Sequence, residues 1–130
     1  MYFTDVGLVC YLTGVSAAQP AQFGPLAGPL LETAVVTEII KTLTHRGVDP
    51  QVHFWRTATG TEVDLVVETA GQLVPVEVRL SATPRPAMAS SIRMLQTDLG
   101  QQVRPGYVVH PGRLRLPLGP HATALPFTDL

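Results

Sequence analysis

Apolar and polar residues alternate along Glu62–Glu68 (EVDLVVE), with Val63, Leu65 and Val67 on one side and Glu62, Asp64 and Glu68 on the other. A period of two marks a strand with one buried face, so Asp64 is expected to point away from the three apolar residues. The run Leu73–Leu80 (LVPVEVRL) repeats the pattern. Val74, Val76, Val78 and Leu80 share one face and leave Glu77 and Arg79 together on the other. The whole stretch His53–Ser81 reads as three short strands. A two-residue turn at Ala70-Gly71 sets Thr69 opposite Gln72, Asp64 opposite Glu77 and Glu62 opposite Arg79, with the two carboxylates about 5 Å apart at Cβ. A slip of one residue would turn one strand over and separate them. Ala70 stands against this turn, because a type I′ geometry needs positive φ there.

Upstream, the period changes. From Pro29 the segment PLLETAVVTEIIKTLTHRG predicts a helix that stops at Gly47. Leu31, Val35, Val36, Ile39, Ile40 and Leu43 form one broad stripe, and Thr33, Thr37, Lys41 and Thr44 the opposite face. Glu32 projects near the middle of the apolar stripe and Glu38 near its edge. A carboxylate aimed at a core needs a partner. Glu32 either sits partly exposed in the first turn, favoured by the helix dipole, or reaches over the sheet toward Asp64 and Glu77. Downstream, Pro84–Leu99 predicts a second helix, with Met88, Ile92 and Leu95 at helical spacing and Gly100 as its stop. Tyr107–His110 reads as a short strand and Arg113–Leu116 as another. The tail around Ala124–Phe127 is apolar enough to pack. Together these elements predict a mixed α/β domain.

Met1–Gly14 reads as a strand end running into a short helix, and Val15–Pro29, rich in Ala, Pro and Gly, as a connector. Residues 1–28 are thus expected to be a lead-in and 29–130 the domain. The abrupt apolar start suggests the end of something longer.

Composition narrows the function classes. The 130 residues are 45% apolar, enough for one core, and the net charge of −1 offers no bulk positive field for nucleic acid. Polyanion binding would need a local patch. The single Cys10 excludes an internal disulfide and fits a reducing compartment. No apolar run approaches a membrane span and the start lacks a secretory pattern, so a cytoplasmic protein without a membrane partner is expected. Lys41-Thr42 follows Ile40 inside a helix with no glycine-rich loop before it, so no nucleotide is expected to bind this chain. No G-x-S-x-G motif is present, and Cys10 lies among apolar residues. His45, His53, His110 and His121 show no paired metal-ligand spacing and read as structural or solvated.

What remains is the constellation Glu32, Asp64, Glu77 and Arg79. Clustered carboxylates tolerate each other only by sharing protons or binding a cation. Their oxygens suit Mg²⁺ or Mn²⁺, with Asp64 and Glu77 as the metal ligands. Such an ion can activate water and neutralise charge building on a phosphodiester, with a nearby cation holding the phosphate. Arg56, Arg85, Arg93, Arg104, Arg113 and Arg115 are candidates for a phosphate-tracking patch, although scattered arginines balanced by acids are commoner. Phe54 and Trp55 could stack on bases, but adjacent aromatics on a strand point to opposite faces and at least one is more often core.

A helix Glu, a strand Asp and a Glu-x-cation on the next strand resemble the PD-(D/E)XK restriction-endonuclease-like superfamily. More narrowly, FWRT-x-x-G-x-EVDLVVE followed by PVEV resembles the domain of unknown function at the C-terminus of bacterial and archaeal AAA+-type P-loop ATPases. YFTDVGLVCYLTG, GPLLETAVVTEI and LPFTDL are similar to its opening, acidic helix and end. The resemblance implies a restriction-endonuclease-like mixed β-sheet flanked by helices, an upstream ATPase domain as partner, and nucleic acid or a second copy of the chain as further partners. It makes Glu32 the helical acid, Asp64 the metal-binding aspartate and Glu77 the second strand acid. Arg79 takes the place of the superfamily's lysine. Arginine stays protonated and is bulkier, so it stabilises a phosphate or pairs with Glu77 but serves poorly as a base. Two readings follow: a degenerate, weakly active nuclease-like module for binding or assembly, and an active Mg²⁺- or Mn²⁺-dependent phosphodiesterase.

Overall fold

The computed structural model describes residues 5–12 and 24–130. Helix α1 spans Val6–Leu12 and α2 Ala27–His45. Strands β1 (Gln51–Arg56), β2 (Glu62–Thr69) and β3 (Gln72–Val78) follow. A 3₁₀ turn, Pro86–Ala89, leads into α3, Ser90–Leu99, and then come β4 (Gly106–His110), β5 (Leu116–Pro117) and β6 (Ala122–Pro126). All six strands form one mixed sheet in the order β1-β2-β3-β4-β6-β5. The pairs β1–β2, β2–β3 and β5–β6 are antiparallel, while β3–β4 and β4–β6 are parallel. The mixed α/β expectation holds.

Helices cover both faces. On one, Val35 and Val36 of α2 pack against Leu65, Val67, Val76, Val109 and Leu125, with Leu31, Ile39, Ile40 and Leu43 around them, so the sequence stripe is the buried one. On the other, α3 sets Ile92 against Val108 and Ala124, and Leu95 against Val63 and Val66. Trp55 joins this second cluster while Phe54 is 77% exposed, as their opposite directions require.

Several boundaries move. Helix α2 begins at Ala27, so Pro29 is its third residue, a position whose N–H needs no helical acceptor. It stops as expected: Gly47, at φ +72°, and Val48 turn their N–H groups back to the carbonyls of Thr44 and Leu43. Thr37, expected on the open face, is buried. Residues Ser81–Arg85 are not helical, which shortens the second predicted helix at its start. Of Arg113–Leu116 only Leu116 is in a strand. The expected strand end before α1, and most of the connector, lie outside the described residues.

The β2–β3 register is the one expected, with Thr69 opposite Gln72 and Leu65 opposite Val76. Ala70 adopts φ +50° and Gly71 +73°, so the strand pairing overrides Ala70's dislike of this region. A left-handed Ala costs roughly 1 kcal/mol. Ala70→Gly or Ala70→Asn is therefore expected to stabilise the fold by about 0.5–1 kcal/mol, read as a higher midpoint in urea. Pro75 lies inside β3, a poor place for a residue without an N–H. It sits opposite Val66, where a two-residue hairpin alternates to a pair without ladder bonds. A Cβ on Gly106 would stand 2.3 Å from the Pro75 carbonyl oxygen, so only glycine lets β4 approach there.

Candidate functional site

The expected β2 alternation breaks at one place, and that place makes the site. His53 pairs with Val66 but Trp55 pairs with Val63, so Asp64 and Leu65 together oppose Phe54 in a bulge. Beyond it Val63 turns to the α3 side, away from Leu65 and Val67, which corrects the single apolar face read from the sequence. A bulge re-aims side chains. Here it lets Asp64 Oδ2 accept the N–H of Val78 at 2.8 Å, joining β2 to the end of β3 through a side chain.

Glu77 follows on β3, beside Val108 of β4, and is 0% exposed. Ser91, itself buried on α3, donates its hydroxyl to Glu77 Oε1. Arg79 reaches back over the pair. Its Nη2 lies 2.8 Å from Glu77 Oε2, and its Nη1 lies 3.6 Å from Asp64 Oδ2 and donates to the Val78 carbonyl at 3.1 Å. Glu77 Oε2 makes no aligned hydrogen bond despite that proximity, so its contact with the guanidinium becomes an ion pair once Glu77 is ionised. Burial above all pushes the Glu77 carboxyl up to about 8. The Ser91 hydrogen bond and Arg79 oppose the rise, while the Asp64 charge adds to it. Near neutral pH Glu77 thus keeps its proton beneath the guanidinium.

Three of the four sequence candidates, Asp64, Glu77 and Arg79, come together. Glu32 is half-buried on α2, the helix of the other sheet face, and among the described residues no group of three or more His, Cys, Asp or Glu side chains is arranged to hold a metal. Glu62, expected opposite Arg79, instead pairs with Arg56 at 3.1 Å, because β1 lies alongside it. The oxygens of Asp64, Glu77 and Val78 that ring the guanidinium are of the kind that hard divalent cations take. They fit Mg²⁺ or Mn²⁺ in chemistry, with Asp64 and Glu77 as ligands, provided Arg79 moves aside. Its side chain is 39% exposed and stands at the mouth of the site.

Ser91 escaped the sequence reading. Its signal was a serine three residues after Met88 and four before Leu95, a polar group on the buried stripe of a helix. Ser91→Ala leaves a buried carboxyl oxygen without its donor and is expected to cost about 2 kcal/mol in chemical denaturation. The histidines are structural or surface groups. His53 pairs with Glu68 at 3.3 Å, and buried His110 is held between the Leu114 carbonyl and the Gly112 N–H.

With this geometry in place, residues 27–130 match the family described as Domain of unknown function (DUF4143). The chain belongs to that family. The DUF4143 match takes in α2, the whole sheet and every residue of the site, and leaves out α1. Uncharacterized proteins of Mycobacterium tuberculosis and Mycobacterium bovis are each 29% identical to the chain over 126 residues, which is 97% of the chain but 27% of either relative. The chain thus spans about a quarter of the length of these relatives. Among the described residues no helix is long and apolar enough to cross a membrane.

Proposed function

We propose that this DUF4143 domain is a restriction-endonuclease-like module whose site has lost most of its catalytic use, and that it serves in nucleic-acid binding or assembly beside an ATPase domain in a longer protein. The observation that carries this reading is the place of Arg79. Its guanidinium lies among the Asp64, Glu77 and Val78 oxygens, where a divalent cation would sit, and satisfies both carboxylates without one. A permanently charged arginine serves poorly as a general base, so neither a metal-bound water nor its deprotonation is provided for. The ATPase partner and the nucleic acid come from the family resemblance, and the longer protein from the fraction of its relatives that the chain covers.

The second reading, an active Mg²⁺- or Mn²⁺-dependent phosphodiesterase, is favoured by the adjacency of Asp64 and Glu77 and by a Glu77 carboxyl held without an aligned hydrogen bond on Oε2. Arg79, half exposed, would then swing out to hold a phosphate while the metal took its place. Calorimetric titration with Mn²⁺, paired with a plasmid-nicking assay on wild type and Glu77→Gln, separates the two. Weak, millimolar binding with little nicking is expected. Micromolar binding, with binding and cleavage both lost in the variant, would establish the phosphodiesterase instead.

A further inference from the structure

The order of the strands converts a segregation of charge along the chain into one across the sheet. Residues 1–80 carry eight carboxylates against Lys41, Arg46, Arg56 and Arg79, whereas residues 81–130 carry five arginines against Asp98 and Asp129. The boundary falls between β3 and β4, neighbours in the middle of the sheet, so the carboxylate-bearing strands β2 and β3 lie on one side of it and β4–β6, which carry no carboxylate, on the other. In residues 1–80, Lys41, Arg56 and Arg79 are all ion-paired. In residues 81–130, Arg93 has no acidic partner among the described residues.

A concavity of about 300 Å³ opens between the start of α3 and the turn joining β5 to β6. Ser90 and Arg93 line it from the helix, and Gly119, Pro120 and His121 from the turn. None of its lining residues is acidic. His121 brings a second nitrogen whose role is decided by its neighbours. The Gln96 side-chain nitrogen donates to the carbonyls of Arg104 and His121, which fixes the orientation of that amide. Gln96 Oε1 is then the atom beside His121 Nδ1, so Nδ1 donates to it and Nε2 can donate to a ligand only from the imidazolium form. An unpaired guanidinium and an exposed hydroxyl around a carboxylate-free hollow suit a group with several strongly accepting oxygens.

We propose that this concavity binds a phosphate group, supplied either by a free nucleotide or by the backbone of a nucleic acid. The site is separate from the Asp64–Glu77 pair and does not depend on what that pair does. Nuclear magnetic resonance titration of the whole chain with inorganic phosphate, a nucleoside 5′-monophosphate and a single-stranded oligonucleotide tests it. Saturable shifts are expected at Ser90, Gly119, His121 and the Arg93 side chain. Arg93→Gln should weaken them about tenfold, as loss of a charge-assisted contact does, while Lys41→Gln, the same charge change on α2, should not. Tighter binding of the monophosphate identifies a free nucleotide, and tighter binding of the oligonucleotide a backbone phosphate. Either supports the site. Absence of saturable shifts with all three ligands, or equal weakening by the two substitutions, would overturn it.

Discussion

Raising the pH from 6 to 9 is expected to lower the folding stability of this domain by roughly 3 kcal/mol, and Glu77→Gln is expected to abolish that dependence. Glu77 has its carboxyl pushed from the ordinary 4.5 up to about 8, chiefly by burial. A folded-state value above the unfolded one means that the native chain holds the proton more tightly. The contribution is therefore fully present below about pH 4.5, declines as pH rises toward 8, and is gone above it. The window from 6 to 9 covers most of the folded titration and avoids the acid range where other carboxylates intervene. A loss of this size is a large share of the 5–15 kcal/mol typical of a small domain. Glutamine keeps the shape and accepts from Ser91 at every pH. Urea midpoints at several pH values would decide the matter, and a wild-type midpoint that stays level across this range would contradict a Glu77 that keeps its proton in the folded chain.

Arg79→Ala is expected to destabilise the domain by about 2–3 kcal/mol at pH 8.5 and to tighten Mn²⁺ binding at least tenfold. Removing one partner from a buried ion pair commonly costs about 3–5 kcal/mol, and solvent at the mouth of the site, where the Arg79 side chain is 39% exposed, reduces that figure. The penalty should shrink at pH 6, where Glu77 keeps its proton and presents less charge. The same substitution empties the space among the Asp64, Glu77 and Val78 oxygens, so a divalent cation no longer competes with a tethered guanidinium. A metal that binds the folded state alone raises stability, and millimolar Mn²⁺ should recover much of the loss. Calorimetry together with denaturation in Mn²⁺ and in chelator measures both effects. If the variant bound Mn²⁺ no better than wild type, Arg79 would not be the occupant of a cation position.

Local patterning reached far into this fold. The α2 stripe, the β2–β3 register and the stop at Gly47 depend on residues a few positions apart, and each came out as the periodicities imply. Strand β6 did not. Ala122-Thr123-Ala124-Leu125-Pro126 has weak strand propensity and no alternation, because β4 and β5 flank it and both its faces are covered. Val63 was assigned to the wrong face for a related reason. The β2 bulge follows from how β1 pairs across it, which the period of β2 itself does not contain.

The candidate site divides in the same way. Sequence by itself determined that Asp64, Glu77 and Arg79 lie near one another, since a two-residue turn and an alternating pattern leave few other registers. It also placed Arg79 two residues after Glu77, on the same face of β3. Only the tertiary structure decided that α3 would lay Ser91 on Glu77, that Glu77 would be fully buried and hold its proton, and that the guanidinium would occupy the space between the carboxylates. The physical reason is that proximity within a hairpin is set by local geometry. Desolvation and the choice of a counter-ion depend on what the rest of the chain packs over it.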